Sequence, residues 1–222
     1  MTESIIKNAE SFKILLHAFE TSDSSSEFKT DLIHTIRAIF NIDKQSTIIT
    51  VGPEIDPFRV FFLQFDNMSL SNKKLILTML EEVLLLRDIK YDELKAYCCL
   101  LQGKRPSTLL LVTQHMLDLL HSERISRDPL RKCGILSILN EYLVTPTEYP
   151  CIDVLTNDID EVKLCLILLE SHNTVDNLSN MSVRINEILY GISLKMLLLL
   201  ITLLQNNLEN QIQIREKYVF PS

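Results

Sequence analysis

The chain has 222 residues, 46% of them hydrophobic, with a formal net charge of −7 from 22 basic and 29 acidic side chains. That much apolar content over that length supports a sizeable core and excludes a disordered chain, while the acidic balance disfavours non-specific binding to nucleic acid. Only four glycines occur, at positions 52, 103, 134 and 191, too few for a phosphate-binding loop or for the turns of a strand-rich fold, so the composition predicts an all-α protein.

In chain order, apolar residues at helical spacing predict a first helix from Thr2 or Ser4 to Glu20, burying Ile5, Ala9, Phe12, Leu15, Leu16 and Phe19. The polar string 21–26 ends it and offers N-caps for a second helix through Phe28, Leu32, Ile33, Ile36, Ile39 and Phe40. A short helix over 43–50, a turn at Val51-Gly52-Pro53 and a second short helix opened by Pro57 come next. Ser69 or Ser71 then caps a long helix through Leu77, Leu80 and Val83, and Asp92 caps another that reaches Leu101.

Pro106 opens the following helix after the Gly103-Lys104-Arg105 turn, and Pro129 opens one carried to about Val144 by Leu136, Ile138, Leu139 and Leu143. Asp158 or Asp160 caps a helix from Val162 to Glu170, and 171–179 is the longest polar stretch. A long helix then runs from Asn180 to Gln205, with a last one from Leu208. Inside the long helix, residues 194–204 are nearly all apolar. The run itself is shorter than the ~20 residues a bilayer requires and carries Lys195, so it reads as a helix packed on both faces between neighbours.

Side chains that carry chemistry in other proteins are sparse in pattern here. His115 and His121 lie six apart, on different faces of a helix, and suit a polar, partly exposed role better than a metal pair. Cys98-Cys99 has no His within a turn and reads as core packing, and Glu81-Glu82 and Asp158 with Asp160 read as helix surface or caps. The expectation is therefore no enzyme, with no catalytic, cofactor-binding or metal-binding residue. The five cysteines form neither an even disulfide framework nor a C-x-x-C spacing, and Met1-Thr2-Glu3-Ser4 does not begin a signal peptide, which together predict reduced, mostly buried thiols and a cytoplasmic location.

One motif recurs. Asp128-Pro129-Leu130-Arg131-Lys132-Cys133-Gly134-Ile135 has a worn copy around Arg215, 84 positions (215 − 131) later, and another around Gly52, 82 positions (134 − 52) earlier, each about two periods of ~42 residues. Arg87, 44 positions (131 − 87) before Arg131, marks a weaker copy. The shape and spacing resemble armadillo repeats. The resemblance implies a right-handed α-solenoid of about five irregular armadillo/HEAT-like repeats, forming one domain over residues 1–222 and expected to be the N-terminal piece of a longer protein. It implies a scaffold or adaptor that binds other proteins along a groove.

The chain has no Trp, so it lacks the Asn and Trp ladder of the importin and catenin branches. Its irregular repeats and acidic balance are more similar to the degenerate armadillo regions of large beige/neurobeachin (BEACH) scaffolds, which act in membrane traffic, or of formins, where that region binds small GTPases. The alternative function is accordingly an autoregulatory GTPase-binding segment, for which Lys104 and Arg105 are the candidate partner-binding residues.

Overall fold

The computed structural model describes residues 9–21, 26–42, 57–144, 151–170 and 181–217, and among these it is all-α, with no strand. The helices are α1 (Ala9–Thr21), α2 (Ser26–Ile42), α3 (Pro57–Leu63), α4 (Leu70–Leu84), α5 (Tyr91–Cys99) and α6 (Pro106–His121), followed by α7 (Arg127–Lys132), α8 (Ile135–Val144), α9 (Cys151–Asn157), α10 (Ile159–Leu168), α11 (Met181–Leu204) and α12 (Leu208–Lys217). Single 3₁₀ turns follow α3 at Phe65–Asn67 and α5 at Leu100–Gln102. The residues fall into two compact units, Met1–Tyr97 and Cys98–Ser222. The predicted helix over 43–50, the Gly52 turn and the polar stretch 171–179 lie outside the described residues.

Local chemistry explains most boundaries. Ser69 caps α4 by accepting the N–H of Asn72 at 3.3 Å, and Asp158 caps α10 by accepting that of Glu161 at 3.0 Å. Pro57 and Pro106 begin α3 and α6, where a missing N–H costs nothing. Asp92, predicted to cap α5, lies inside its first turn instead. The task falls to Glu93, whose carboxylate accepts the N–H of Lys90 at 3.2 Å and is gripped by both Nη atoms of Arg87 at 2.9 Å. Glu93 is fully buried, and a buried carboxylate requires such a fork of donors.

The helix predicted to run unbroken from Pro129 to Val144 is two helices. Gly134, at φ +85°, separates α7 from α8 and occupies a backbone region that side chains bearing Cβ seldom adopt.

In the first unit an aromatic cluster forms the core. The α3 sequence Phe58-Arg59-Val60-Phe61-Phe62 buries three rings. Phe61 meets Phe19 of α1 edge-on at 5.2 Å, while Phe62 lies 5.3 Å from the Tyr97 ring and 6.1 Å from Phe65. Such pairs add about 0.5–1.5 kcal/mol each beyond the burial itself. Polar ties close the periphery: Asn72 donates to Thr30 Oγ1 at 2.9 Å, and Arg37 pairs with Glu82 at 3.3 Å, both joining α2 to α4.

The second unit is built around α6, which buries twelve of its sixteen residues, among them Ser107, Thr108, Thr113 and His115. It packs against α9, α10, α11 and the 3₁₀ turn. Thr113 is tolerated there because its hydroxyl bonds within the helix, Oγ1 donating to the Leu109 carbonyl at 2.6 Å. The expectation of a leucine-rich helix enclosed on both faces placed the burial on the wrong element. α6 is the enclosed helix, and α11 lies at the surface.

Candidate functional surface

α11 has two different faces. Ile188, Ile192, Met196, Leu199, Thr202 and Leu203 are buried, against α6, α8 and α10. On the opposite side Val183, Tyr190, Leu194, Leu197, Leu198 and Ile201 are exposed, with Tyr190 at 71% and Ile201 at 52% while Leu199 is at 0%. From Tyr190 to Ile201 the exposed row contains no charge. A row of this length on one helix is a contiguous apolar surface, unlike single exposed leucines, which need no explanation. Glu187, one turn before Tyr190 on the same side, pairs with Arg184 at 3.0 Å, and Lys195 is turned aside and donates to Gln114 Oε1 on α6 at 2.6 Å.

The reason is in the counting of apolar positions. A helix needs only about a third to a half of its circumference apolar to bury one face, and the run 194–204 supplies apolar residues all round, more than α6, α8 and α10 cover. With 24 residues, α11 is also about 36 Å long at 1.5 Å per residue. The eleven-residue run alone is too short for a bilayer, but the whole helix is long and apolar enough to cross one, with a mean hydropathy of 2.0 over its most apolar window, a third of which is buried inside the protein.

The C-terminal end of α11 is held by side chains. Arg127 Nε donates to the Thr202 carbonyl at 2.9 Å, Asn210 Nδ2 to that of Leu203 at 2.8 Å, and Gln211 Nε2 to that of Leu204 at 2.9 Å. These carbonyls have no partner further along their own helix; α7 and α12 supply donors to them, and the Asn207 N–H, beside Asn206 at φ +55°, also donates to the Leu204 carbonyl at 3.3 Å. Two more ties join the same elements: Asn207 donates to Asp128 at 3.2 Å, and Arg131 pairs with Glu209. The Asp128-to-Arg131 motif thus contacts the residues just before its copy in α12. An open groove of about 490 Å³ lies beside this corner, with His121, Glu123, Arg127 and Asp128 in its walls. Arg127 and Asp128 are already engaged there.

Lys104 is exposed. Arg105, half-exposed, faces inward to its own unit: its Nη1 lies 3.3 Å from Glu161 and 3.5 Å from Asp158. Glu161 is buried and also accepts the N–H of Ser107 at 2.8 Å. The α6 N-terminus has no cap from Arg105, the residue at that position, and the carboxylate of Glu161 supplies one from α10, where negative charge also suits the helix dipole.

His115 is buried and His121 exposed, on separate faces of α6. Among the cysteines, Cys98 and Cys165 are buried, Cys133 is intermediate and Cys99 exposed. A hydrogen bond to the Cys133 thiol, reinforced by burial, pushes the Cys98 thiol well above its ordinary pKa. This contact, between residues 35 positions apart, carries no signal in the sequence. Among the described residues no group of three His, Cys, Asp or Glu side chains has the arrangement of a metal site.

No protein-family model and no solved structure matches this chain.

Proposed function

We propose that this chain is a non-enzymatic protein-interaction module, an irregular armadillo/HEAT-like solenoid that serves as a scaffold or adaptor in the cytoplasm, in the manner of the degenerate repeats of BEACH proteins. The observation that carries the reading is the exposed apolar face of α11. A helix that buries one side in the core and presents leucines on the other offers binding energy of about 25 cal/mol per Å² to whatever covers it.

Affinity capture from a cytosolic extract tests this, with the wild-type chain and Leu197→Glu compared, in the presence and absence of a non-hydrolysable GTP analogue. Proteins retained by the wild type and lost with Leu197→Glu, whatever the nucleotide, support the scaffold. Recovery of a small GTPase only with the analogue favours the formin-like alternative. Identical recoveries from both chains overturn the assignment of the α11 face.

A further inference from the structure

Two sulfurs far apart in the chain meet inside the second unit. Cys98, in the last turn of α5, is fully buried, and its thiol is hydrogen-bonded to that of Cys133, the residue that ends α7. The backbone packing places the same two points together: α8 starts two residues after Cys133 and lies against the 3₁₀ turn Leu100–Gln102, which starts two residues after Cys98. Cys98 is the donor, because the bond holds its proton on, and the Cys133 sulfur accepts.

The two thiols differ in access and in freedom. Cys133 is half-buried while Cys98 is closed off, so a small solute reaches the pair from the Cys133 side. Cys99 is exposed on another side of α5, since adjacent helical positions diverge by about 100°. Gly134 follows Cys133 at φ +85°, and a Cβ there would meet nothing within 4 Å. A disulfide draws its sulfurs to about 2.05 Å, and this open glycine corner between α7 and α8 is where the backbone can take up the approach.

We propose that Cys98 and Cys133 form a redox-sensitive pair that closes to a disulfide when the protein meets hydrogen peroxide. The Cys133 thiolate attacks one peroxide oxygen: an S–O bond forms, the O–O bond breaks, and the departing hydroxide takes up the proton the Cys133 thiol released. Cys133 is then a sulfenic acid. The Cys98 sulfur attacks the Cys133 sulfur; the S–S bond forms, the S–O bond breaks, and hydroxide leaves with the Cys98 proton as water. Two thiols and one peroxide give one disulfide and two waters, with two electrons passing from sulfur to oxygen. The bond encloses the whole of α6, which constrains the unfolded chain. In a reducing compartment such a bond is transient, as a sensor requires.

Titration of the reduced 222-residue chain with hydrogen peroxide decides it, with remaining thiols alkylated after denaturation and fragment ions of non-reduced peptides placing each link. The expected product is a single chain lighter by about 2 Da, the two hydrogens lost on linking. It is joined 98 to 133, restored by dithiothreitol, and its urea midpoint is raised by roughly 1 M. Cys99→Ser forms the same link at the same peroxide concentration, whereas Cys133→Ser leaves Cys98 a free thiol. Cys98 still reduced when Cys133 has reached the sulfinic acid overturns the proposal, as does oxidation that joins two chains through Cys99 and spares the pair. A link between 98 and 133 that forms as readily in urea as in the folded protein also overturns it, because the folded contact then contributes nothing.

Discussion

Glu161 on α10 and Ser107 on α6, separated by 54 positions, meet through a single hydrogen bond in which the buried carboxylate accepts the backbone N–H at 2.8 Å. Arg105 closes the arrangement at 3.3 Å from the same carboxylate. The N-terminus of the central helix is thus capped by another helix, so the stability of α6 is tied to its packing against α10. Removing one partner leaves a buried donor or charge unsatisfied, which costs more than the bond itself contributes.

Glu161→Ala is accordingly expected to destabilise the protein by about 2–3 kcal/mol, and Asp158→Ala, which removes a half-exposed N-cap, by about 1 kcal/mol. Urea unfolding of the two variants measures this. Equal losses would mean that the carboxylate of Glu161 contributes no more than an ordinary surface cap.

Neighbouring leucines on α11 should respond very differently to the same change. Leu199→Glu places a charge in the core and is expected to cost at least about 4 kcal/mol, whereas Leu197→Glu stays within about 0.5 kcal/mol because that side chain is in water. Thermal unfolding compares them. A large loss at position 197 would place that side chain in a packed environment.

The two described glycines with clear roles separate strain from crowding. At Gly134 a Cβ meets nothing within 4 Å, so Gly134→Ala is destabilising by about 1–2 kcal/mol through the positive φ alone. At Gly191 a Cβ comes within 2.6 Å of Leu169 Cδ2, the mobile end of a side chain, and that clash is set against the roughly 1 kcal/mol gain in helix propensity. Gly191→Ala is expected to change stability by less than Gly134→Ala. Chemical denaturation of both variants checks the order.

Cysteine reactivity follows exposure and thiol acidity. Among the four described cysteines, alkylation of the native protein near neutral pH, read by peptide mass spectrometry, should label Cys99 first and Cys98 last or not at all, because the raised pKa keeps Cys98 a thiol while burial blocks access. Replacing Cys133 with Ala removes the largest cause of that shift. The Cys98 pKa then falls towards its ordinary value, with burial still holding it somewhat above. Unchanged titration of Cys98 in Cys133→Ala would count against the thiol–thiol bond.

Helices and their ends were largely legible in the residues, since caps and prolines act within one turn: Ser69, Asp158, Pro57 and Pro106 all sit where a local rule places them. The failures share a cause. Asp92 has the right chemistry for a cap, yet Glu93 takes that part because Arg87 reaches it, and the break at Gly134 needs a backbone conformation that periodicity does not encode.

By itself, then, the sequence determined an all-helical chain with most of its helix boundaries, through composition, helical periodicity and short-range capping that depend on neighbours a few positions away. Tertiary structure alone decided which apolar helix is enclosed and which is left half in water, because α6 and α11 are both apolar enough to be central and only the packing of α8, α9 and α10 selects between them. It also decided that Arg105 faces Glu161 and that Cys98 meets Cys133. Burial and long-range pairing are properties of the assembled helices, and a one-dimensional pattern records how much apolar surface a helix has without recording how much of it will be covered.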